Sequence, residues 1–208
     1  MEMMKTIFEI IEEQLDITQN DIIGYGIYGS WSYDMELPQS DVDMFIIVSD
    51  EFEFTFLHCL DYDIKIMPKQ MFQEKINNHE VEALEILFDE RNTFKEAFPF
   101  ELDKSKLRQS FMAEISNSWV KAKKKMTIPY EDTYIGFKSI WHVFRMIDFG
   151  IQIATQGKII NYRFRTDLFD YRVDDMDLGW EYWERELKSE VNKRMSKFRK
   201  VAPKAVKS

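Results

Sequence analysis

A glycine-punctuated apolar segment, residues 22–29, is followed by Ser30, a ten-residue spacer and a strand-like run, residues 42–48, that opens on Asp41 and Asp43. Residues i and i+2 of a strand point to the same face, about 7 Å apart along it, so both carboxylates are expected on one side of a sheet. Asp63 lies inside a further alternating run. The pattern predicts a cradle of three carboxylates that could hold two divalent ions about 4 Å apart, as two-metal phosphoryl transfer requires.

The residue types indicate which ligands such a cradle would take. Mg²⁺, or Mn²⁺ in its place, prefers oxygen ligands and keeps waters and substrate phosphates in its shell, so three aspartates and a nucleoside triphosphate suffice. Gly29 lacks a Cβ and lets the backbone approach a ligand closely. If a helical turn begins near Trp31, its free N–H groups and the Ser30 hydroxyl would form a phosphate seat.

These residues resemble a known signature. Gly29-Ser30, the spacer and Asp41-Val42-Asp43 are similar to the Gly-Ser and Asp-x-Asp motifs of the DNA polymerase beta nucleotidyltransferase superfamily. The resemblance implies that Asp41, Asp43 and Asp63 are catalytic and bind the metal, and that Gly29 and Ser30 bind the triphosphate.

A second resemblance covers the later part of the chain. Lys138, His142 and Arg145, with Gly157-Lys158 downstream, look like the helical segment of a branch linked to RNA-repair pathways. The three side chains lie at i, i+4 and i+7, along one helical stripe. The resemblance implies that the stripe contacts the nucleotide. The alternative is that the two cations pair with acidic residues and that His142 is a buried core histidine.

The sequence also departs from the signature and leaves alternatives open. Many superfamily members carry a basic residue after Gly-Ser and a glycine three or four positions later, where this chain has Trp31 and Asp34. Asp61 shares strand parity with Asp63, although Asp63 is preferred because it sits inside the apolar alternation. An Asp-x-Asp taken alone is an ordinary solvated strand end, and a non-catalytic nucleotide-binding module remains possible.

The periodicity predicts an α+β chain: a small mixed β-sheet domain with flanking helices over residues 1–100, followed by a helical domain over 101–208 with a basic C-terminal tail. The expected helices and strands are listed by residue number: a first helix through Ile7, Ile10, Ile11 and Leu15; strands at 22–28, 42–48, 52–58 and 62–67; helices at 69–77, 80–89, 103–125, 131–156 and 179–200. Pro129 would separate two of the long helices, and Gly157 would end the second.

Composition limits the partners. The chain has 208 residues, a formal net charge of −9 and a single cysteine, Cys59, which we expect to be a buried thiol in a reducing compartment. No apolar run approaches the ~20 residues of a membrane span, and the acidic N-terminus does not resemble a signal peptide, so a cytoplasmic protein is expected.

The sequence does not determine the identity of the acceptor. The acidic net charge disfavours indiscriminate nucleic-acid binding, yet basic residues concentrate at 121–125 and 193–207. They could hold a polynucleotide backbone or form a solvated helix face. The resemblance of the helical segment to the RNA-repair branch, together with the basic tail, makes an RNA or tRNA end the leading acceptor hydroxyl, and a protein hydroxyl, as in toxin-antitoxin systems, is the alternative. Trp119, Trp141, Trp180 and Trp183 are expected to pack in the core.

Overall fold

The structure is a computed structural model that describes residues 2–34, 36, 41–127, 132–163 and 178–205, with side chains from residue 5 onward. Its helices and strands, in chain order, are α1 (Glu2–Leu15), β1 (Ile22–Ile27), a 3₁₀ turn (Gly29–Tyr33), β2 (Val42–Val48), β3 (Thr55–Cys59), β4 (Tyr62–Pro68), α2 (Lys69–Asn77), α3 (Val81–Phe88), β5 (Thr93–Phe94), α4 (Lys104–Thr127), α5 (Thr133–Gln156) and α6 (Gly179–Val201). None of the helices in these described segments combines the length and apolar character that a membrane span needs.

The five strands form one mixed sheet in the order β3-β4-β2-β1-β5. β2 and β4 run parallel, whereas the β1–β2, β1–β5 and β3–β4 pairs are antiparallel. The predicted α+β class with a small mixed sheet is therefore confirmed.

The chain divides into two compact units, Met1–Asn77 with Glu82–Phe100, and Asn78–Val81 with Glu101–Ser208. In the first unit, one face of the sheet packs against α1. The buried side chains on this side include Ile7 and Ile11 of α1, Met44 and Ile46 of β2, and Ile64 and Ile66 of β4. Because side chains alternate along a strand, the odd-numbered residues of β2 and β4 point to the opposite face.

That opposite face has an aromatic core. Phe45 of β2 stacks on Phe94 of β5 at a centroid distance of 6.0 Å, and Phe94 in turn stacks on Phe72 of α2 at 6.2 Å. Asp43 and Asp63 share the strand parity of Phe45, so the two carboxylates project from the face that carries these rings, near the strand ends.

The second unit is built on α5, which is buried on most of its surface and packs against α4 and α6. Asp132 caps its first turn by accepting the Ile135 N–H at 3.1 Å, and Gly157 ends it in a left-handed conformation, φ 78°, as predicted. The tryptophans serve as packing groups: Trp119 meets Trp180 edge to face, and Trp183 lies against Phe137.

One local prediction needs correction, and one short strand was missed. The strand predicted at 52–58 occupies Thr55–Cys59 instead, because Asp50 accepts the N–H of Gln70 at the start of α2 and Phe52 closes a turn onto Ser49. β5 was not predicted, since two residues are too few to show a period. Pro129, which was expected to separate two helices, and Lys207, at the end of the basic tail, lie outside the described residues. Cys59 is buried, and burial raises the pKa of its thiol.

Candidate functional site

The register of two parallel strands makes Asp43 and Asp63 direct neighbours. In the β2–β4 pair, Asp43 stands opposite Asp63, and Phe45 opposite Lys65. Cross-strand partners point to the same face, and adjacent strands lie about 4.8 Å apart. Two carboxylates that are 20 residues apart in sequence therefore project side by side, which is the juxtaposition that the sequence predicted.

Asp41 and Asp61 lie just outside these strands. Asp41 immediately precedes β2, and Asp61 lies in the tight turn that joins β3 to β4. The Val42 N–H donates to the Asp61 carbonyl at 2.8 Å, which extends the pairing of the two strands to this level. Both side chains are exposed. Of the two rivals for the third carboxylate, Asp63 is the one inside β4 and beside Asp43.

The glycine turn lies directly against Asp43. Gly29 has φ +71°, and a Cβ added there would stand 2.2 Å from Oδ2 of Asp43 and 3.0 Å from its Cγ. Only glycine suits both requirements, because L side chains disfavour positive φ and the space is occupied by the carboxylate. The Tyr28 N–H donates to the Asp43 carbonyl at 2.9 Å, which fixes the turn onto β2. The turn and the carboxylate are therefore built as one arrangement.

Ser30 belongs to the predicted helical turn, which the structure forms as the 3₁₀ turn Gly29–Tyr33. Ser30 is buried, the Ser32 hydroxyl donates to the Ile27 carbonyl at 3.0 Å, and the buried Tyr33 hydroxyl donates to Oε2 of Glu85 on α3 at 2.5 Å. The turn is thus anchored on β1 and on α3, and its first residues are held in one place.

The two departures from the superfamily signature have structural roles. The Trp31 indole N–H donates to the Asp41 carbonyl at 3.1 Å, so this side chain joins the turn to the start of β2 instead of bringing a positive charge. Asp34 ends the turn in a left-handed conformation, φ 55°. Glycine fits such a position most easily, and aspartate is among the residues that tolerate it best.

His58, which the sequence interpretation did not select, is a close partner of the site. It stands opposite Asp63 in the β3–β4 pair, and its Nδ1 lies 2.8 Å from Oδ1 of Asp63. This hydrogen bond, followed by the charges of Asp63, Asp41 and Asp61, raises the pKa of the exposed imidazole above its ordinary value. The sequence signal was faint: a histidine at alternating parity in a short strand has no meaning until its partner strand is known.

Lys65 brings a cation to the same face. It forms an ion pair with Glu82 of α3, and its Nζ lies 5.3 Å from the ring centroid of Tyr28 and 5.6 Å from that of Phe56. Burial, together with the charges of Glu82, Asp43 and Asp63, raises the pKa of Tyr28 far above its ordinary value. The Tyr28 phenol therefore lies within reach of the charges of all three carboxylates, and Nζ of Lys65 lies over its ring.

A divalent ion would fit this site only together with ligands from the substrate. Within the described segments, no group of three or more His, Cys, Asp or Glu side chains is arranged to hold a metal ion. Mg²⁺ is usually bound through one or two carboxylates with substrate phosphates and waters. Asp43 and Asp63, beside a glycine whose missing Cβ leaves the backbone open, fit an ion of that kind that arrives with a triphosphate.

Lys138, His142 and Arg145 lie on α5 in the second unit. Arg145 is buried, and its Nη2 contacts Nδ1 of His142. Burial, and after it the positive charges of Arg145, Lys121 and Lys138, lowers the pKa of His142 well below its ordinary value. The contact with Arg145 and the lowered pKa match the core alternative for His142. A role of the three residues in nucleotide binding stays a prediction.

The basic clusters are partly structural. Arg194 of α6 donates to both carboxylate oxygens of Asp148 on α5, at 2.9 and 3.2 Å, and to Glu190 at 2.7 Å. In the α4 cluster, Lys121, Lys123 and Lys124 are exposed. The α4 lysines are therefore better placed than Arg194 to meet a partner.

The chain shows a weak likeness to a known protein structure. No protein-family model and no curated protein matches the chain. Among solved structures, it is similar to the crystal structure of a nucleotidyltransferase-like protein from Exiguobacterium sibiricum 255-15, at 13% sequence identity and a TM-score of 0.33, over 95% of this chain and 72% of that one. The function proposed below rests on the residues of this chain.

Proposed function

We propose that the protein is a metal-dependent nucleotidyltransferase that moves a nucleoside monophosphate from a nucleoside triphosphate to an acceptor hydroxyl. The observation that carries the proposal is the contact of Gly29 with the Asp43 carboxylate, directly across the strand pair from Asp63. A partner-binding surface gains nothing from neighbouring carboxylates, which repel each other, whereas a polyphosphate site with its cation needs them.

Each part of the cluster has a role in this reaction. Gly29 and Ser30 hold the β- and γ-phosphates, and Asp43 and Asp63 would hold Mg²⁺ or Mn²⁺, with Asp41 as the further ligand that the sequence predicts. When bound, such an ion neutralises phosphate charge and lowers the pKa of a coordinated hydroxyl. The chain itself orients the phosphates and keeps the turn rigid, so that catalysis consists of positioning and charge stabilisation.

The chemical step is an in-line displacement at the α-phosphorus. The acceptor oxygen forms a bond to the α-phosphorus, the bond from that phosphorus to the bridging oxygen breaks, and pyrophosphate leaves. Asp63 accepts the hydroxyl proton as general base. His58, hydrogen-bonded to Oδ1 of Asp63, holds that carboxylate in a fixed orientation.

We propose an RNA or tRNA end as the acceptor, with a protein hydroxyl as the alternative. The exposed lysines of α4 support a polyanionic acceptor because they could contact its phosphates. A second candidate function is a non-catalytic nucleotide-binding module, which the neutral Trp31 in the place of a basic residue favours. Calorimetry of nucleotide binding with and without Mg²⁺ separates the two functions, since binding that ignores the ion supports the module.

The decisive experiment compares carboxylate variants. Purified protein is incubated with each of the four α-labelled nucleoside triphosphates and either total RNA or total protein. Asp43→Asn and Asp63→Asn should abolish labelling while the circular dichroism spectrum stays that of the wild type. Asp61→Asn is the matched control, because it removes an exposed carboxylate two residues from Asp63 and should retain labelling. Labelling by the Asp43→Asn variant at the wild-type rate would refute the assignment.

A further inference from the structure

An exposed aromatic pair lies on the edge of the sheet next to the carboxylates. Phe56 of β3 is 67% exposed, Phe54 just before the strand is 38% exposed, and their rings meet edge to face at 5.0 Å. β3 is the outermost strand on its side of the sheet. Edge strands in soluble proteins are usually protected by charge or by short length, so two exposed phenylalanines at this edge indicate a binding surface.

The register places this pair on the face that carries the site. Phe56 stands opposite Lys65, and His58 opposite Asp63, so both residues of β3 share a face with the residues they oppose. Nζ of Lys65 lies 5.6 Å from the Phe56 ring centroid. The aromatic edge is thus continuous with the cluster of Asp63, Lys65 and His58.

The strand order decides which substrate can reach this edge. From one side to the other, the site residues follow the order Gly29 after β1, Asp43 on β2, Asp63 on β4 and Phe56 on β3. Adjacent strands lie about 4.8 Å apart, so β3 lies about 10 Å beyond β2, on the side away from β1. Attacking and leaving oxygens are roughly in line in phosphoryl transfer. If pyrophosphate leaves on the Gly29 side, the acceptor approaches from the β3 side.

We propose that Phe56, supported by Phe54, is the platform on which the terminal base of a single-stranded polynucleotide acceptor stacks. This inference rests on the proposed nucleotidyl transfer and narrows its acceptor to a chain end that carries a base. Aromatic side chains bind bases through the π-face that every base offers, and they tolerate different sequences. A sugar or a serine hydroxyl has no such face and would leave the pair exposed.

The experiment compares two acceptors in one assay. Single-stranded oligoribonucleotides of equal length, one with a complete terminal nucleotide and one with an abasic terminal ribose, are labelled from an α-labelled triphosphate. The variants are Phe56→Ala, Phe56→Trp, which retains a π-face, and Leu60→Ala, which trims another exposed apolar side chain, 56% exposed, in the neighbouring turn. Thermal unfolding and light scattering record the stability and oligomeric state of each variant.

We expect the wild type to prefer the base-bearing acceptor. Phe56→Ala should lower kcat/KM for that acceptor at least about fivefold, mainly through KM, because stacking on an aromatic side chain is worth about 1 kcal/mol or more per base. It should change the abasic acceptor less. Phe56→Trp should keep the preference, and Leu60→Ala should behave as the wild type.

Several results would overturn the inference. They are an unchanged preference in Phe56→Ala, an equal loss on both acceptors, or a loss that accompanies dissociation of a dimer, since the edge would then be covered by a second copy of the chain. Labelling of protein but not RNA by the wild type overturns the platform and leaves nucleotidyl transfer intact. A wild type that uses no triphosphate on any acceptor overturns the proposed function as well.

Discussion

Gly29→Ala tests the arrangement of turn and carboxylate most directly. The substitution adds one methyl group at a position with φ +71°, 2.2 Å from Oδ2, 3.0 Å from Cγ and 3.1 Å from Cβ of Asp43. Two separate costs follow. The left-handed conformation costs an alanine about 1 to 2 kcal/mol, and the Asp43 side chain must move to make room.

The structure provides a control that isolates the first cost. Gly157, at the end of α5, has φ +78°, and an added Cβ there meets nothing within 4 Å. Gly157→Ala should therefore lose about 1 to 2 kcal/mol of unfolding free energy through backbone conformation alone. Gly29→Ala should lose at least as much in its own unit, with the excess reporting the displacement of Asp43.

The functional difference between the two variants should be much larger than the difference in stability. A misplacement of about 1 Å at a reacting centre can cost about 100-fold in rate. We expect Gly29→Ala to lose at least that much labelling of the acceptor, and Gly157→Ala to stay within a few-fold of the wild type. Urea unfolding and initial rates of labelling measure the two quantities. Wild-type labelling by a folded Gly29→Ala protein would show that the position of Asp43 against the turn is irrelevant to activity.

Three further predictions concern ionisation and a buried ion pair. Asp63 raises the pKa of His58, so their contact stabilises the fold fully below pH ~6.5, and this stabilisation is lost as the pH rises through the raised pKa. NMR titration of the Asp63→Asn variant should show a lower pKa for His58. An unchanged His58 pKa in this variant would refute the prediction. Because burial lowers the pKa of His142, its contribution to stability is present above pH ~6.5 and should be lost as the pH falls below that value. Urea unfolding at a series of pH values should show a smaller loss of stability in acid for His142→Gln than for the wild type. Asp148→Ala leaves the largely buried Arg194 with Glu190 as its remaining carboxylate partner and should cost about 2 kcal/mol of unfolding free energy. The double alanine variant should cost less than the sum of the single variants, and strict additivity would contradict the pairing.

Most of the fold followed from local pattern. The alternation in residues 42–48 and 62–67 predicted two strands, and the structure has β2 and β4 there. Gly157 marked the end of α5 because a left-handed cap favours glycine. The start of β3 and the two-residue β5 did not follow, because the contact of Asp50 with α2 and the short pairing of β5 with β1 depend on partners distant in sequence.

The residues of the candidate site likewise fall into those that the sequence indicated and those that it did not. Gly29, Asp41, Asp43 and Asp63 carry their signal in the sequence, since a small residue at a turn and acids at alternating positions are visible without a partner. His58 and Lys65 became members of the cluster only through pairing, because each stands opposite a residue of a neighbouring strand or contacts a helix side chain.

The sequence by itself determined that the chain combines strands and helices before residue 100, that helices follow, and that acids accompany a glycine turn. Tertiary structure alone decided the strand register that sets Asp43 opposite Asp63, that a histidine hydrogen-bonds to Asp63, and that two phenylalanines lie exposed at the adjoining edge. The physical reason is the range of the interactions: periodicity and backbone conformation act over a few neighbouring residues, whereas strand register joins segments tens of residues apart.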